Sequence, residues 1–386
     1  MTYKILSLDG GGIRGVLSAK ILDEIEAIVA KQHHGKKLNQ YFNLIAGTST
    51  GSILAAGLAC QMEAKQLIDL YKNEGGNIFL KSVYLQRQPK KPIRWLQRRL
   101  TAYGLRQLTS WLRRLGGTYA LYPHQKGNQG LAKVLERNLI YKGKSPKITE
   151  ITEPLLLILA YDVFSRNTTW FTNQHPSDYI PWYNNIELWE ICTASASAPT
   201  FFSPYKLSYN SEKYLTHIDG GVSANNPALS AIAHALWMNR ENPEKCNLNN
   251  IAVLSIGTGK TTQRYEYDDI AQWGLAGWAS HISDIFLDPS AKNSEDICRQ
   301  LLRSLGRNYL RLDFNLNEHS KEGEVYNKYI KIKKQITKPI KEEIDNPDNC
   351  QDLIEAAQCY LDCGEVDYKG KTVPVRSAIQ QFIESH

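Results

Sequence analysis

Residues 42–51 read FNLIAGTSTG, and the apolar run ILAAGLAC follows at 53–60. Phe42 to Ala46 is a short apolar segment of strand type, ended by Gly47. From Ser52 the residues favour a helix. A strand, a tight turn and a helix therefore meet at Gly47-Thr48-Ser49-Thr50-Gly51, which fits G-x-S-x-G. Gly47 and Gly51 keep side chains out of the turn, so the Ser49 hydroxyl is lifted to the C-terminal edge of a sheet. There it faces the positive end of the next helix. In isolation the pentapeptide is a common small-residue turn. Its strand and helix flanks favour the reading of Ser49 as a nucleophile.

The same alternation extends through the chain. Tyr3 to Leu8 is a strand, broken at Gly10, Gly11 and Gly12. Val16, Leu17, Ile21, Ile25, Ile28 and Val29 then recur at helical spacing up to Lys31. Strands are expected at Leu155–Val163, Thr168–Thr172 and Ile251–Ile256. A helix is expected over Asn226–Met238, with Pro227 in its first turn. Strands separated by helices predict an α/β fold with a mainly parallel central sheet, covered on both faces. The expected organisation is a catalytic domain over residues 1–260, with a basic amphipathic insertion at about 81–115. A mainly helical extension over 261–386 would pack on or complete the same domain, with one strand near Tyr309–Phe314.

Composition excludes several classes. The chain has 386 residues, 42% hydrophobic and 22% charged, which is globular and not disordered. Mean hydropathy is −0.40. The apolar runs are far shorter than the roughly 20 residues of a spanning helix. The start, MTYKILSLDGGG, has no basic-then-apolar leader, so a cytoplasmic protein is expected. The seven cysteines have no zinc-like spacing and read as reduced, packed thiols. No metal and no cofactor are expected.

The net charge of +7 is local. Residues 81–114 hold ten Lys and Arg and no Asp or Glu, leaving −3 for the remainder. Trp95 and Trp111 lie there, with leucines at helical spacing and Arg98, Arg99, Arg113 and Arg114 between them. This composition suits an interfacial helix pair on an anionic membrane. It equally suits a lid over the site, a dimer surface, a solvated arm or a pocket for an anionic regulator. No nucleic-acid partner is expected.

Two nucleotide motifs fail their own tests. Gly10, Gly12 and Gly15 satisfy G-x-G-x-x-G, but the next strand ends Ile45-Ala46-Gly47 without the acid that a dinucleotide fold requires. Gly259-Lys260-Thr261 lacks the first glycine of a P-loop, because position 254 is Leu254. What Gly10, Gly11 and Gly12 do offer is a set of backbone N–H groups beside a helix N-terminus, suited to an oxyanion. Arg14 would add positive charge to that hole, or pair with a carboxylate. A side chain at Gly11 or Gly12 is accordingly expected to lower activity more than stability. Asp219-Gly220-Gly221 follows a strand-like segment and exposes a carboxylate, although most Asp-Gly pairs are turns. His217, His234 and His281 read as packed or exposed rather than catalytic.

Five stretches in this order resemble the patatin-like phospholipase family: DGGGIRG at 9–15, GTSTG at 47–51, ASASAPTFF at 194–202, DGGVSANNP at 219–227 and LSIGTG at 254–259. The resemblance covers residues 1 to about 260. It implies a three-layer α/β/α sandwich and a Ser–Asp dyad, with Ser49 as nucleophile and Asp219 as general base. Gly10, Gly11 and Gly12 would line the oxyanion hole, and Gly47, Gly51, Gly220 and Gly221 would support the motifs. The implied activity is metal-free hydrolysis of carboxylic esters in phospholipids at the inner face of the membrane. Some bacterial members resemble membrane-degrading effectors gated by nucleotide second messengers in phage defence. A non-catalytic membrane- or nucleotide-binding protein of the same fold is the other alternative. The basic segment, the long C-terminal region and the missing secretion signal depart from the plant storage members.

Overall fold

The computed structural model describes residues 2–80, 120–176, 179–262, 265–271, 289–302, 308–320 and 323–386. The basic segment, with Trp95, Arg98, Arg99, Trp111, Arg113 and Arg114, lies outside the described residues, as does His281.

The sheet is built outward from the two most apolar strands. Strand β1 (Tyr3–Leu8) lies between β2 (Leu44–Thr48) and β7 (Ile251–Ile256), all parallel. Every residue of β2 and β7 is buried, as expected where helices cover both faces. Strand β3 (Leu155–Asp162) runs parallel to β2, and β8 (Tyr309–Leu312) runs parallel to β7. The antiparallel strands gather on β3: β4 (Asn167–Thr172) on one edge, and β6 (Tyr214–Asp219), with β5 (Tyr205–Ser208) beyond it. The result is a mostly parallel sheet between helical layers, the three-layer α/β/α arrangement.

Helices α1 (Gly15–Gln32), α2 (Thr50–Ala59) and α3 (Ala64–Ile78) join one large core with α4 (Leu131–Asn138), α5 (Leu188–Ser195), α7 (Cys350–Cys363) and α8 (Val375–Ser385). Helix α6 (Ala228–Met238) covers the other face with Ala228, Ala231, Ile232 and Ala235. Pro227, expected in the first turn, is instead the N-cap residue, one position before the observed helix.

The register determines where the site forms. Leu8 of β1 is paired with Gly47 of β2 and with Ile256 of β7. The loops that follow these three strands therefore emerge at the same sheet edge, where open α/β sheets place their sites. On β3, residues 155–159 pair with β2 and residues 160–162 with β6. Strand β6 thus continues the edge that β2 leaves, and its last residue, Asp219, pairs with Ala160 beside the end of β2.

The last 120 residues contain more strand than their pattern suggests. Besides β8 they hold two short hairpins, Glu318–His319 with Val325–Tyr326 and Glu365–Tyr368 with Lys371–Pro374. These strands are two to four residues long, too short for a period-two pattern to stand out. No helix among the described residues is long and apolar enough to cross a membrane. The seven cysteines are unpaired, and six are buried.

Candidate active site

Ser49 sits between β2 and α2 with φ 54° and ψ −124°, a backbone region unfavourable for any residue with a side chain. A Cβ at Gly51 would overlap the Leu8 carbonyl, and one at Gly47 would overlap the Gly51 carbonyl. The two flanking glycines are therefore required by close approach. The turn is held from outside as well. The Ser49 N–H donates to Ser195 Oγ at 2.9 Å, and that hydroxyl donates to the Leu159 carbonyl at 2.6 Å. Ser52 Oγ donates to the Ser49 carbonyl at 2.6 Å.

Asp219 reaches the same point from β6. Ser49 Oγ donates to Asp219 Oδ2 at 2.6 Å, and the Gly221 N–H donates to Asp219 Oδ1 at 2.7 Å. The Asp219 N–H donates to the Ser197 carbonyl at 3.0 Å, and the Gly220 N–H to the Ser195 carbonyl at 3.1 Å. The end of α5 thus ties the serine turn to the aspartate strand. Ser49 is 7% exposed and Asp219 3%. Burial pushes the Asp219 carboxyl up to about 6, against the lowering effect of its bonds from Ser49 and Gly221. An aspartate raised in this way is a stronger base than one in water.

His217 and His234 are bonded elsewhere than at the serine. The His217 ring is hydrogen-bonded to Thr169 Oγ1 at 2.9 Å and lies against Trp182. The His234 ring meets Thr172 Oγ1 at 3.3 Å. Burial lowers the pKa of both.

The glycine loop is narrower as an anion hole than its sequence suggests. The Gly10 N–H donates to the Asn225 carbonyl at 3.1 Å and is not available to a substrate. Gly11 and Gly12 line the pocket with Ser49 and Thr50, and among the described residues no backbone acceptor takes their N–H groups. Arg14 does not line this pocket. Its side chain is 4% exposed, and among the described residues Nε and Nη1 have no hydrogen-bond partner. The expected tolerance of the fold to a side chain at Gly12 also needs correction. Gly12 has φ 59°, and a Cβ there would overlap the Ile344 carbonyl, which already accepts from the Ile13 N–H at 2.8 Å. A residue at Gly12 would disturb backbone and stability together. At Gly11 a Cβ would overlap the buried Thr258 side chain, its Cβ included, and that hydroxyl donates to the Gly10 carbonyl at 2.9 Å, so a residue there would also disturb the loop.

The pocket wall is apolar: Ile53, Ile78, Phe79, Phe201, Phe202 and Ile344 surround the polar pair. Its free space is about 40 Å³, room for about three waters. The chain leaves the described region after Leu80 and returns at Ala120 beside this wall, with the Phe79 and Tyr122 rings 5.5 Å apart. Among the described residues no group of three His, Cys, Asp or Glu is placed to hold a metal ion.

Ser195, Ser197 and Arg311 were not singled out by sequence reasoning. Ser195 and Ser197 lie in the ASASAP stretch, where alternate serines were the available signal. Arg311 carries no local signal. It is 4% exposed and donates to Asp9, the residue before the glycine loop.

The chain belongs to the patatin-like phospholipase family, whose model matches residues 6–232. It is 26% identical over 325 residues to a cGAMP-activated phospholipase of Vibrio cholerae, covering 81% of this chain and 82% of that one. It is 25% identical over 334 residues to a probable inactive patatin, patatin-3-Kuras 1 of Solanum tuberosum, covering 81% and 78%. Among solved structures, VipD from Legionella pneumophila aligns over 92% of this chain and 67% of its own, at 13% identity and a TM-score of 0.35. The family supports lipid acyl hydrolysis. The name of the potato relative indicates that membership does not by itself guarantee activity, so the question turns on the residues of the site.

Proposed function

We propose that the protein is a phospholipase A-type acyl hydrolase acting through a Ser49–Asp219 dyad. The observation that carries this is the 2.6 Å bond from Ser49 Oγ to Asp219 Oδ2 inside an apolar pocket. Ser49 Oγ attacks the ester carbonyl while its proton passes to Asp219. The Gly11 and Gly12 N–H groups receive the oxyanion. Collapse breaks the acyl–oxygen bond, and the departing alcohol takes the proton from Asp219. Water then attacks the acyl-serine, Asp219 takes its proton and returns it to Ser49 Oγ as the acyl–Oγ bond breaks, and the fatty acid leaves. The non-catalytic alternative is disfavoured because nucleophile, base and glycine loop are all present and in reach of each other.

Ser49→Ala and Asp219→Asn should each abolish hydrolysis of phospholipid vesicles and of a soluble ester in folded protein, with non-additive losses. His217→Ala should retain substantial turnover. Loss of all turnover in folded His217→Ala would replace the dyad with a triad.

A second reading, a hydrolase gated by a nucleotide second messenger, is favoured by one observation. Substrate pockets usually offer about 300–1,000 Å³, and the space at Ser49 is about 40 Å³. An acyl chain needs the aromatic wall to move, and the Vibrio cholerae relative bears a name that describes such activation. Peripheral association with the cytoplasmic membrane face is part of the proposal and rests on the charge of residues 81–114.

We also infer that residues 261–386 complete the catalytic domain. Strand β8 extends the central sheet beside β7, Ile344 accepts from the glycine-loop helix, and α7 and α8 share the core of α1.

A further inference from the structure

A second cavity lies against the free edge of β4, away from Ser49. Its volume is about 620 Å³, within the usual range for small-molecule sites. Trp170 comes from β4, and His234 and Trp237 come from α6. His175, Tyr179 and Tyr183 come from the loop after β4. The loop is fixed to the strand edge by one hydroxyl: the Thr172 N–H donates to Tyr183 Oη at 3.3 Å, and Tyr183 Oη donates to the Trp170 carbonyl at 2.9 Å.

Tyr183 and Trp182 belong to or pack on the core, but part of the aromatic surface is open. Trp170 is 37% exposed, Trp237 45% and Tyr179 54%. Large rings left exposed around a cavity mark a binding site more often than a solvated face. Arg240 is the one charged side chain lining the cavity among the described residues. Its guanidinium lies 5.2 Å from the Trp237 ring centroid, and Nη1 donates to the Trp237 carbonyl at 3.0 Å. Exposed Glu241 meets Nη2 at 3.5 Å, which leaves the remaining donors of the fork for a ligand. A quaternary ammonium headgroup on these aromatic faces would have the Arg240 cation beside it, which disfavours it. A purely apolar ligand would leave Arg240, the two imidazoles and the threonine hydroxyls unused. Flat π faces, neutral hydrogen-bonding rings and one guanidinium suit a planar base carrying a phosphate.

We propose that this cavity is a nucleotide-binding site, with a base stacked on the exposed aromatic faces and the phosphate held by Arg240. Burial lowers both imidazoles, His234 to about 4, so at neutral pH they meet the base edge as uncharged donors and acceptors. The site also touches the catalytic strand. The Trp182 ring, in the cavity wall, stacks on His217 at 5.9 Å, and His217 precedes Asp219 by two residues on β6. Binding is independent of the hydrolase reading. Control of hydrolysis by the ligand rests on the gated reading above.

Calorimetric titration of the Ser49→Ala protein with AMP, GMP and cyclic GMP–AMP tests the site without turnover. At least one nucleotide should bind. Trp237→Ala and Arg240→Glu should each weaken that binding about tenfold or more, with an unchanged circular dichroism spectrum. Both side chains lie at the surface, so folding is not at issue. No heat with any of the three at millimolar concentration overturns the proposal, as does affinity unchanged in both variants. Choline or inorganic phosphate binding as tightly as the nucleotide also overturns it. In the wild type, the bound nucleotide should change the rate of ester hydrolysis, and Trp237→Ala should erase the change. Binding without a rate effect would leave the site standing and remove the gated reading.

Discussion

Arg311 Nη2 lies 2.6 Å from Asp9 Oδ2, joining strand β8 to the residue that opens the glycine loop. The same guanidinium donates to Asp313 Oδ2 at 2.9 Å and to Ser255 Oγ at 2.8 Å, and Glu295 approaches its Nε at 3.9 Å. All of these groups are buried. Strand β7 lies between β8 and β1, so Arg311 reaches across a whole strand to hold the base of the loop. The charge that fixes the stem of the glycine loop therefore comes from outside the matched residues 6–232.

Removing that guanidinium should unfold more than it inactivates. Arg311→Met leaves the carboxylates of Asp9 and Asp313 buried without a cation, which costs about 3–5 kcal/mol. Urea unfolding of the full chain should show a clear drop in midpoint, with Arg311→Lys intermediate because ammonium lacks the planar fork. A midpoint unmoved by Arg311→Met would show that the cluster tolerates loss of its only arginine bridge to Asp9.

This cluster marks the boundary of what the sequence makes legible. The serine turn is local: strand, glycines and helix occupy about 20 consecutive residues, and their pattern states the conformation directly. Strands β1 and β7 begin and end at the expected residues because both are mainly apolar runs closed by Gly or Asp-Gly. The Ser49–Asp219 meeting spans 170 positions and was read only through family resemblance. Nothing in the spacing of Asp9, Ser255 and Arg311 announces their contact, since each pairing depends on sheet order. The acceptor of the Gly10 N–H was hidden for the same reason. Asn225, which takes the Gly10 N–H, arrives from a loop 215 residues later.

The strained serine offers a separate test. At φ 54° and ψ −124°, Ser49 holds a conformation that costs about 1–3 kcal/mol for a residue with a Cβ. Ser49→Gly should stabilise the protein by about 1 kcal/mol while abolishing hydrolysis. Ser49→Ala keeps the Cβ and should not show that gain. If the glycine variant is less stable than the alanine variant, the bond to Asp219 outweighs the strain.

Asp219 links activity and stability to pH in opposite senses. Its folded value of about 6 lies above the ordinary 3.8. As base it must be ionised, so kcat/KM should rise with unit slope below about pH 6 and level off above. Between about pH 4 and 6 the folded chain holds a proton that the unfolded chain has released. The fold therefore weakens as pH rises through this window, by about 3 kcal/mol in all. Asp219→Asn removes the titration. It should gain stability relative to the wild type from pH 4 to pH 7 by about that amount, although inactive. A stability difference that stays constant with pH would mean that Asp219 is ionised throughout.

The charge of the basic segment supplies a test of the proposed membrane association. Ten Lys and Arg with Trp95 and Trp111 in residues 81–114, in a chain otherwise at −3, predict attraction to an anionic leaflet of about 1 kcal/mol for each residue near the surface. The segment leaves and re-enters the described fold beside the pocket wall at Phe79 and Tyr122. Reversing Arg98, Arg99, Arg113 and Arg114 to Glu should release the protein from phosphatidylserine vesicles and lower hydrolysis of them. It should spare a soluble short-chain ester, because Ser49, Asp219 and the Gly11 and Gly12 N–H groups lie elsewhere in the chain. Salt should act like the mutation, since the attraction is screened within about 8 Å at physiological ionic strength. Co-sedimentation and the two hydrolysis assays, run in parallel, separate the outcomes. Equal loss on both substrates would assign the segment to the pocket entrance or a subunit contact. Full activity on both, with vesicle binding intact, would show that its charge has no part in catalysis at the membrane.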